Sequence, residues 1–197
     1  MIHGIVFDLD GTLVDSRLDF DQMRREMELP EGSSILEWLE RLEPERAEQC
    51  RSILHRHETS GFERAKLLPG VDELLEELDR REIRRSIFTR NSRAITDATL
   101  AKVGLRVDFA LTRDDGPVKP DPWAVREACR RWGLSPSEVV AVGDYRFDVE
   151  AGRAAGCRTV LLTHPDEPTA YPNEERADLL LRSLEEYPRL LAWIETL

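Results

Sequence analysis

The sequence predicts an α/β fold, in which a doubly wound parallel β-sheet core carries a small all-helical subdomain. Two observations support this prediction. Short β-branched and aromatic runs alternate with helical patterns over most of the chain, which is typical of a parallel sheet covered on both faces. One internal stretch, residues 16–66, shows apolar residues at helical spacing only. The chain has 197 residues, a length that suits one domain with an inserted subdomain.

The chain begins with a predicted buried strand. Residues 2–7 form the apolar run expected of a parallel strand, and Asp8-Leu9-Asp10-Gly11-Thr12 follows it as a loop. From Ser16 onward the spacing of apolar residues changes to that of helices, and this change marks the start of the insertion.

The inserted stretch is predicted to contain three helices. Pro30-Glu31-Gly32 separates the first helix from the second, and Pro44 suits the first turn of a third helix that runs to about His57. We expect no strand in this stretch. The predicted organisation is therefore a core of residues 1–15 and 67–197 and a helical cap of residues 16–66.

The rest of the chain alternates between helices and strands. Apolar residues at every third or fourth position mark the helices, and short continuous apolar runs mark the strands. Residues 163–175, rich in Pro and Glu, are predicted to form a surface loop. The predicted helices cover residues 71–78, 93–103, 123–132, 147–155 and 184–194, and the predicted strands cover residues 83–88, 109–111, 138–142, 157–162 and 178–181.

The composition argues against several kinds of partner and site. The chain has 28 Lys and Arg against 39 Asp and Glu, a net charge of −11, which disfavours a nucleic-acid backbone as partner. No apolar run approaches the roughly 18 residues of a membrane span, and the first residues do not resemble a signal peptide. The three scattered cysteines indicate neither a disulfide framework nor a zinc site. We expect a cytoplasmic monomer or homodimer that acts on a small molecule.

Polar residues follow several predicted strands at the point where each strand ends, and open parallel sheets bind ligands at that edge. Taken singly, an aspartate there is most often a turn former or a helix cap, and a lysine is most often a surface residue. Taken together, clustered carboxylates repel one another unless a cation neutralises them. The residues at strand ends are Asp8, Asp10, Thr89, Asn91 and Asp144. Asp148 follows four residues after Asp144, and Lys119 lies in the loop before the predicted helix at 123–132.

Oxygen ligands at this density suit a hard cation, and Mg²⁺ takes one or two carboxylates together with water and substrate phosphate. Such a metal lets a carboxylate approach an anionic phosphorus. If the strand geometry continues, Asp8 and Asp10 point to the same side, so that one attacks while the other handles the leaving group's proton. The N–H of Gly11, the hydroxyl of Thr89 and the ammonium of Lys119 are available to hold phosphate oxygens.

These residues resemble the motifs of the haloacid dehalogenase-like hydrolase superfamily. The four motifs occur in order and the resemblance covers nearly the whole chain, with Pro69-Gly70-Val71 similar to the return from the family's helical cap. One departure concerns the second motif, because the family usually has Asn directly after its Thr or Ser and here Arg90 intervenes. The matching segments are DLDGTLVDS from Asp8 to Ser16, then Thr89, then Lys119 within VKPDP, and GDYRFD from Gly143 to Asp148.

The resemblance implies a Rossmann-like core and a Mg²⁺-dependent phosphatase similar to the phosphoglycolate phosphatase group, acting on a small phosphorylated metabolite through an aspartyl-phosphate. It implies that Asp8 is the nucleophile and a metal ligand. Asp10 is implied as general acid and then base, with its backbone carbonyl at the metal, and Asp144 and Asp148 as the remaining metal residues. Thr89 and Lys119 are implied to bind the phosphoryl group. Gly11, Arg90 and Asn91 are expected beside it, with Arg90 either contacting substrate or lying in solvent.

Three alternatives remain open at the level of sequence. A phosphomutase would share all four motifs and differ in retaining a bisphosphate intermediate. A phosphoprotein or nucleotide phosphatase would differ only in substrate. A non-catalytic binding or regulatory protein of the same fold is disfavoured because Asp8, Asp10, Lys119 and Asp144 are all present.

Overall fold

The computed structural model describes residues 1–163 and 177–197. The chain divides into two compact units, a core of Met1–Asp15 with Lys66–Leu197 and a helical unit of Ser16–Ala65. Apart from Thr163, the predicted surface loop over residues 163–175 lies outside the described residues. None of the helices in the described ranges is long and apolar enough to cross a membrane.

The core is built on a parallel sheet of six strands within the described residues, which confirms the predicted α/β fold. Its strand order is β5-β4-β1-β6-β7-β8, and each neighbouring pair is parallel. The two remaining strands, β2 and β3, pair with each other. In chain order the strands are β1 (Gly4–Phe7), β2 (Val14–Asp15), β3 (Lys66–Leu67), β4 (Arg84–Phe88), β5 (Phe109–Leu111), β6 (Val139–Gly143), β7 (Arg158–Leu162) and β8 (Leu179–Leu181).

Helices follow most strands of the core, as the alternating pattern predicts, and others form the helical unit. The central strands β1 and β6 are buried along their whole length, which explains their continuous apolar sequences. The helices are α1 (Phe20–Glu26), α2 (Ile35–Leu39), α3 (Pro44–Arg64), α4 (Val71–Arg80), α5 (Arg93–Val103), α6 (Trp123–Trp132), α7 (Arg146–Ala155) and α8 (Tyr187–Ile194).

The strand order creates the feature that positions the site. From β1 the chain builds outward through β4 to β5, and then returns to the other side of β1 to build β6, β7 and β8. The order therefore reverses between β1 and β6, and ligands bind outside the carboxyl ends of strands at such a point. Asp8 and Asp144 directly follow these two strands.

The helical unit has its own apolar core. Met23 of α1 and Met27, which directly follows that helix, are almost fully buried and pack with buried residues from the rest of the unit. Helix α1 begins after Asp19, whose carboxylate accepts a hydrogen bond from the Gln22 N–H at 2.7 Å. The other buried members of this core are Ile35, Leu39, Cys50 and Leu54.

Three details differ from the sequence prediction. Lys66 belongs to β3, which pairs antiparallel with β2, so the expectation of no strand in residues 16–66 is wrong at that residue. A strand of two residues is too short to show the alternating pattern by which a strand is recognised in a sequence. Helix α3 runs to Arg64 rather than to about His57. It passes through Gly61, where a Cβ atom would lie 2.7 Å from Leu18 Cδ2.

The closing helix is also divided. A 3₁₀ turn covers Leu184–Glu186, and α8 begins at Tyr187 with Pro188 in its first turn. Proline has no N–H to continue a preceding helix, but it is well suited to starting one.

Candidate active site

Lys119 is the centre of the polar cluster at the carboxyl edge of the sheet. It lies in the loop between β5 and α6, and its Nζ donates to Asp8 Oδ1 at 2.5 Å and to Asp148 Oδ1 at 2.6 Å. Lys119 is only 3% exposed, and its ammonium lies 5.3 Å from the centre of the Phe88 ring. A lysine is almost never buried without partners, so its ion pairs with two carboxylates explain this position.

Asp8, Asp144 and Asp148 form a carboxylate cluster in which one oxygen of each lies within 4.8 Å of the others. The sheet sets this arrangement. Asp8 continues the pairing of β1 with β6, because its N–H donates to the Val142 carbonyl at 2.8 Å. Asp144 directly follows β6, and Asp148 lies in the first turn of α7, where its Oδ2 accepts from the Tyr145 N–H at 2.9 Å.

The cluster has an excess of negative charge, and the pKa values reflect it. Burial, reinforced by the charges of Asp8 and Asp148, raises the pKa of Asp144 well above its usual value. Burial also raises the pKa of Asp8, and it raises that of Asp148 to about 6. Burial alone would lower the pKa of Lys119, but Asp148 and Asp8 raise it. One ammonium therefore does not balance three carboxylates.

This donor set fits a Mg²⁺ ion. The cation prefers carboxylate oxygens, and its positive charge would offset the burial of these carboxylates and their mutual repulsion. The side chains that could hold it are those of Asp8, Asp144 and Asp148. The Asp10 side chain is not part of this group, and the expected contribution of its backbone carbonyl stays a prediction.

Two glycines allow the carboxylates to approach the backbone. A Cβ on Gly143 would lie 2.2 Å from Asp148 Cγ, and a Cβ on Gly11, where φ is +83°, would lie 2.3 Å from Asp144 Oδ2. The Gly11 N–H donates to the Val14 carbonyl at 2.8 Å. The expectation that this N–H holds phosphate is therefore corrected, because the loop itself uses it.

The Asp10 side chain is not one of the three clustered carboxylates, and it contacts Asn91. The Asn91 side-chain amide donates to Asp10 Oδ2 at 3.2 Å, and its backbone N–H donates to Thr89 Oγ1 at 3.0 Å. Thr89 is 1% exposed at the end of β4. The extra residue in the second motif therefore does not remove Asn91 from the site, because the Asn91 side chain contacts Asp10.

Arg90 is half-buried and held by protein contacts rather than extending into solvent, and its expected contact with substrate stays a prediction. Its guanidinium donates to the backbone carbonyl of Lys119 and lies 5.0 Å from the centre of the Phe147 ring. Phe147 was not predicted to take part in the site, although it directly precedes Asp148. Thr12 was also missed: its hydroxyl donates to Asp144 Oδ1 at 3.1 Å, and its place two residues after Asp10 was the available signal.

Comparison with known families matches residues 2–156 to the haloacid dehalogenase-like hydrolases. The chain is 32% identical over 173 residues to a haloacid dehalogenase-like hydrolase domain-containing protein of Arabidopsis thaliana, covering 82% of this chain and 71% of that protein. It is 30% identical over 214 residues to a phosphoglycolate phosphatase of Cupriavidus necator, and the match covers 95% of this chain and 92% of that protein. A crystal structure of a hydrolase from Pseudomonas syringae has the same fold, with a TM-score of 0.79 and 23% identity over 96% of this chain and 98% of that one.

The chain belongs to the haloacid dehalogenase-like hydrolase family. The resemblance predicted from the four motifs is thereby confirmed, and with it the enzyme class, a hydrolase.

Proposed function

We propose that the protein is a Mg²⁺-dependent phosphatase that hydrolyses a small phosphomonoester through an aspartyl-phosphate formed on Asp8. The observation that carries the proposal is the position of Asp8. Its carboxylate contacts the buried Lys119 ammonium and shares a cluster with Asp144 and Asp148. A nucleophile that must approach an anionic phosphate needs positive charge beside it, which Lys119 and a Mg²⁺ ion held by the carboxylates would supply.

In the proposed first step, an Asp8 oxygen forms a bond to phosphorus while the bond from phosphorus to the leaving oxygen breaks. A carboxylate nucleophile needs no general base, but its approach requires that negative charge be offset. Lys119 donates to a phosphoryl oxygen, and the Thr89 hydroxyl donates to another. Bound Mg²⁺ would supply further positive charge to the phosphoryl oxygens.

Asp10 supplies the proton transfers in this proposal. As a carboxylic acid it donates its proton to the leaving oxygen, which departs as an alcohol. As a carboxylate it then takes a proton from the water that attacks phosphorus. The bond between phosphorus and the Asp8 oxygen breaks, inorganic phosphate is released, and the Asp8 carboxylate and the protonated Asp10 are restored. The hydrogen bond from Asn91 to Asp10 Oδ2 supports this role because it fixes the orientation of the carboxyl group.

The substrate is proposed to be a small phosphorylated metabolite. The relative from Cupriavidus necator is named a phosphoglycolate phosphatase, so phosphoglycolate is the first candidate. Cytoplasmic location and a monomeric or homodimeric state stay predictions from the sequence.

The test is phosphate release from a panel of small phosphomonoesters, with Mg²⁺ and with EDTA. The panel contains phosphoglycolate, sugar phosphates, nucleoside monophosphates and p-nitrophenyl phosphate. We expect release that requires Mg²⁺ and is abolished in Asp8→Asn. The matched control Asp72→Asn removes an exposed carboxylate in the first turn of α4 and should retain normal turnover.

A second measurement tests the covalent intermediate. Mass spectrometry after acid quenching should detect a phosphoryl adduct on the peptide that contains Asp8, and no adduct in Asp8→Asn. Normal turnover of Asp8→Asn without deamidation would contradict the covalent mechanism. Products that retain the phosphoryl group would indicate a mutase instead.

A further inference from the structure

Arg90 connects the loop after β4 to two other parts of the candidate site. Its guanidinium donates to the backbone carbonyl of Lys119, in the loop before α6. The same guanidinium lies over the ring of Phe147 in α7, at 5.0 Å from the ring centre. At its other end, the Arg90 carbonyl accepts a hydrogen bond from Arg113 Nη1 at 3.0 Å. Both the side chain and the backbone of Arg90 are therefore held in place.

We infer that Arg90 is a positioning residue that fixes the backbone of Lys119, so that the lysine ammonium stays between Asp8 and Asp148. Its catalytic consequence rests on the proposed function. Lys119 lies in a segment without regular secondary structure between β5 and α6. A hydrogen bond from another loop to the Lys119 carbonyl limits the movement of this segment directly at the catalytic residue.

The sensitivity of the site follows from its distances. The Lys119 ammonium lies 2.5 Å from one Asp8 oxygen and 2.6 Å from one Asp148 oxygen. A displacement of about 1 Å breaks such contacts, and misplacement on that scale costs about 100-fold in rate in unfavourable cases. Loss of the Arg90 contact should therefore slow the chemical step more than it weakens substrate binding.

The chain offers a matched control in Arg146. Its guanidinium lies 4.9 Å from the centre of the same Phe147 ring and also stacks on Tyr145, at 5.9 Å. Arg146 is exposed, and its described contacts are with these two rings. Arg146→Met thus removes an equal charge from the same ring and leaves the contact with the Lys119 carbonyl intact.

The kinetic test compares Arg90→Met, Arg90→Lys and Arg146→Met with two substrates, p-nitrophenyl phosphate and the best aliphatic phosphomonoester. For Arg90→Met we expect kcat to fall about tenfold or more, with KM within about twofold for both substrates. Arg90→Lys should recover part of kcat because an ammonium can also donate to a carbonyl. Arg146→Met should stay within about twofold of the wild type.

Two kinetic results would overturn the inference. A rise in KM that differs between the substrates, at unchanged kcat, would assign Arg90 to direct substrate contact. An equal fall in kcat for Arg146→Met would assign the effect to the loss of positive charge rather than to the position of Lys119.

A readout that does not depend on activity is amide hydrogen exchange. In the metal-free protein, exchange across residues 112–122 should be faster in Arg90→Met than in the wild type and in Arg146→Met. Unchanged exchange would refute the inference even if the protein is a phosphatase. Conversely, a wild-type protein without phosphatase activity would refute the proposed function, while exchange would still report whether Arg90 holds this loop.

Discussion

Replacing Lys119 with methionine should destabilise the metal-free protein in a way that depends on pH. The substitution keeps an unbranched side chain of similar size but removes the ammonium that contacts Asp8 and Asp148. Three clustered carboxylates then remain without their cation. Removing one partner of a buried ion pair costs about 3–5 kcal/mol, and we expect a loss of unfolding free energy in this range at about pH 8.

The pH dependence follows from the raised carboxyl pKa values. A group whose pKa is higher in the folded state contributes stability below its unfolded pKa, and this contribution is lost as pH rises through the folded pKa. For Asp148 this window extends from the ordinary value of 3.8 to about 6. Lys119 lowers the pKa of Asp148 and of Asp8, so its removal raises both further. When the pKa of each carboxyl rises by one further unit, about 3 kcal/mol of the loss in unfolding free energy depends on pH.

The assay is urea unfolding in EDTA, followed by circular dichroism, at about pH 8 and about pH 5. The loss of unfolding free energy caused by Lys119→Met should be smaller at the lower pH, because the carboxyls take up protons there. It should also be smaller after Mg²⁺ is added. Lys102→Met makes the same chemical change at an exposed position of α5 and should stay within about 0.5 kcal/mol of the wild type. An equal loss at both pH values would refute the reasoning, because lost packing does not titrate.

Three further predictions concern the same site. Asp10→Asn should slow phosphate release about 100-fold or more, because the proton donor is lost. Its Mg²⁺ affinity, measured by calorimetry, should be nearly unchanged, and a loss of affinity would contradict this prediction. Gly143→Ala should weaken Mg²⁺ binding about tenfold or more, because its Cβ would lie 2.2 Å from Asp148 Cγ; unchanged affinity would show that Asp148 moves freely. Mg²⁺ affinity of the wild type should rise between about pH 5 and pH 7, as Asp148, with a pKa of about 6, loses its proton; a flat profile would contradict this.

Much of the fold and of the carboxylate cluster could be predicted because both depend on regular geometry. Aspartates after an apolar run indicate where a strand ends, and the carboxyl ends of parallel strands lie at one edge of the sheet. For this reason the proximity of Asp8 to Lys119 and Asp144 was predictable, although each of the two lies more than 100 positions from Asp8 in the chain. Their roles in catalysis stay predictions until the proposed experiments are done.

The remaining details depend on interactions that have no sequence pattern. Strands β2 and β3 are too short to show periodicity and exist because two chain segments meet. The contact of Arg90 with the Lys119 carbonyl depends on the rotamer of one side chain and on a backbone atom 29 residues away. The hydrogen bond of the Gly11 N–H to Val14 likewise depends on how one loop turns. Such contacts follow from the assembled fold rather than from local residue preferences.

The pairing of Val14 with Leu67 and of Asp15 with Lys66 has a consequence for how the family can diversify. The two ends of the insertion are joined by backbone hydrogen bonds within the core itself. The entropy of closing a loop grows only with the logarithm of its length, so a longer or shorter insert costs the core little extra free energy. Recombination at this junction can therefore exchange one insert for another at little cost to the stability of the sheet.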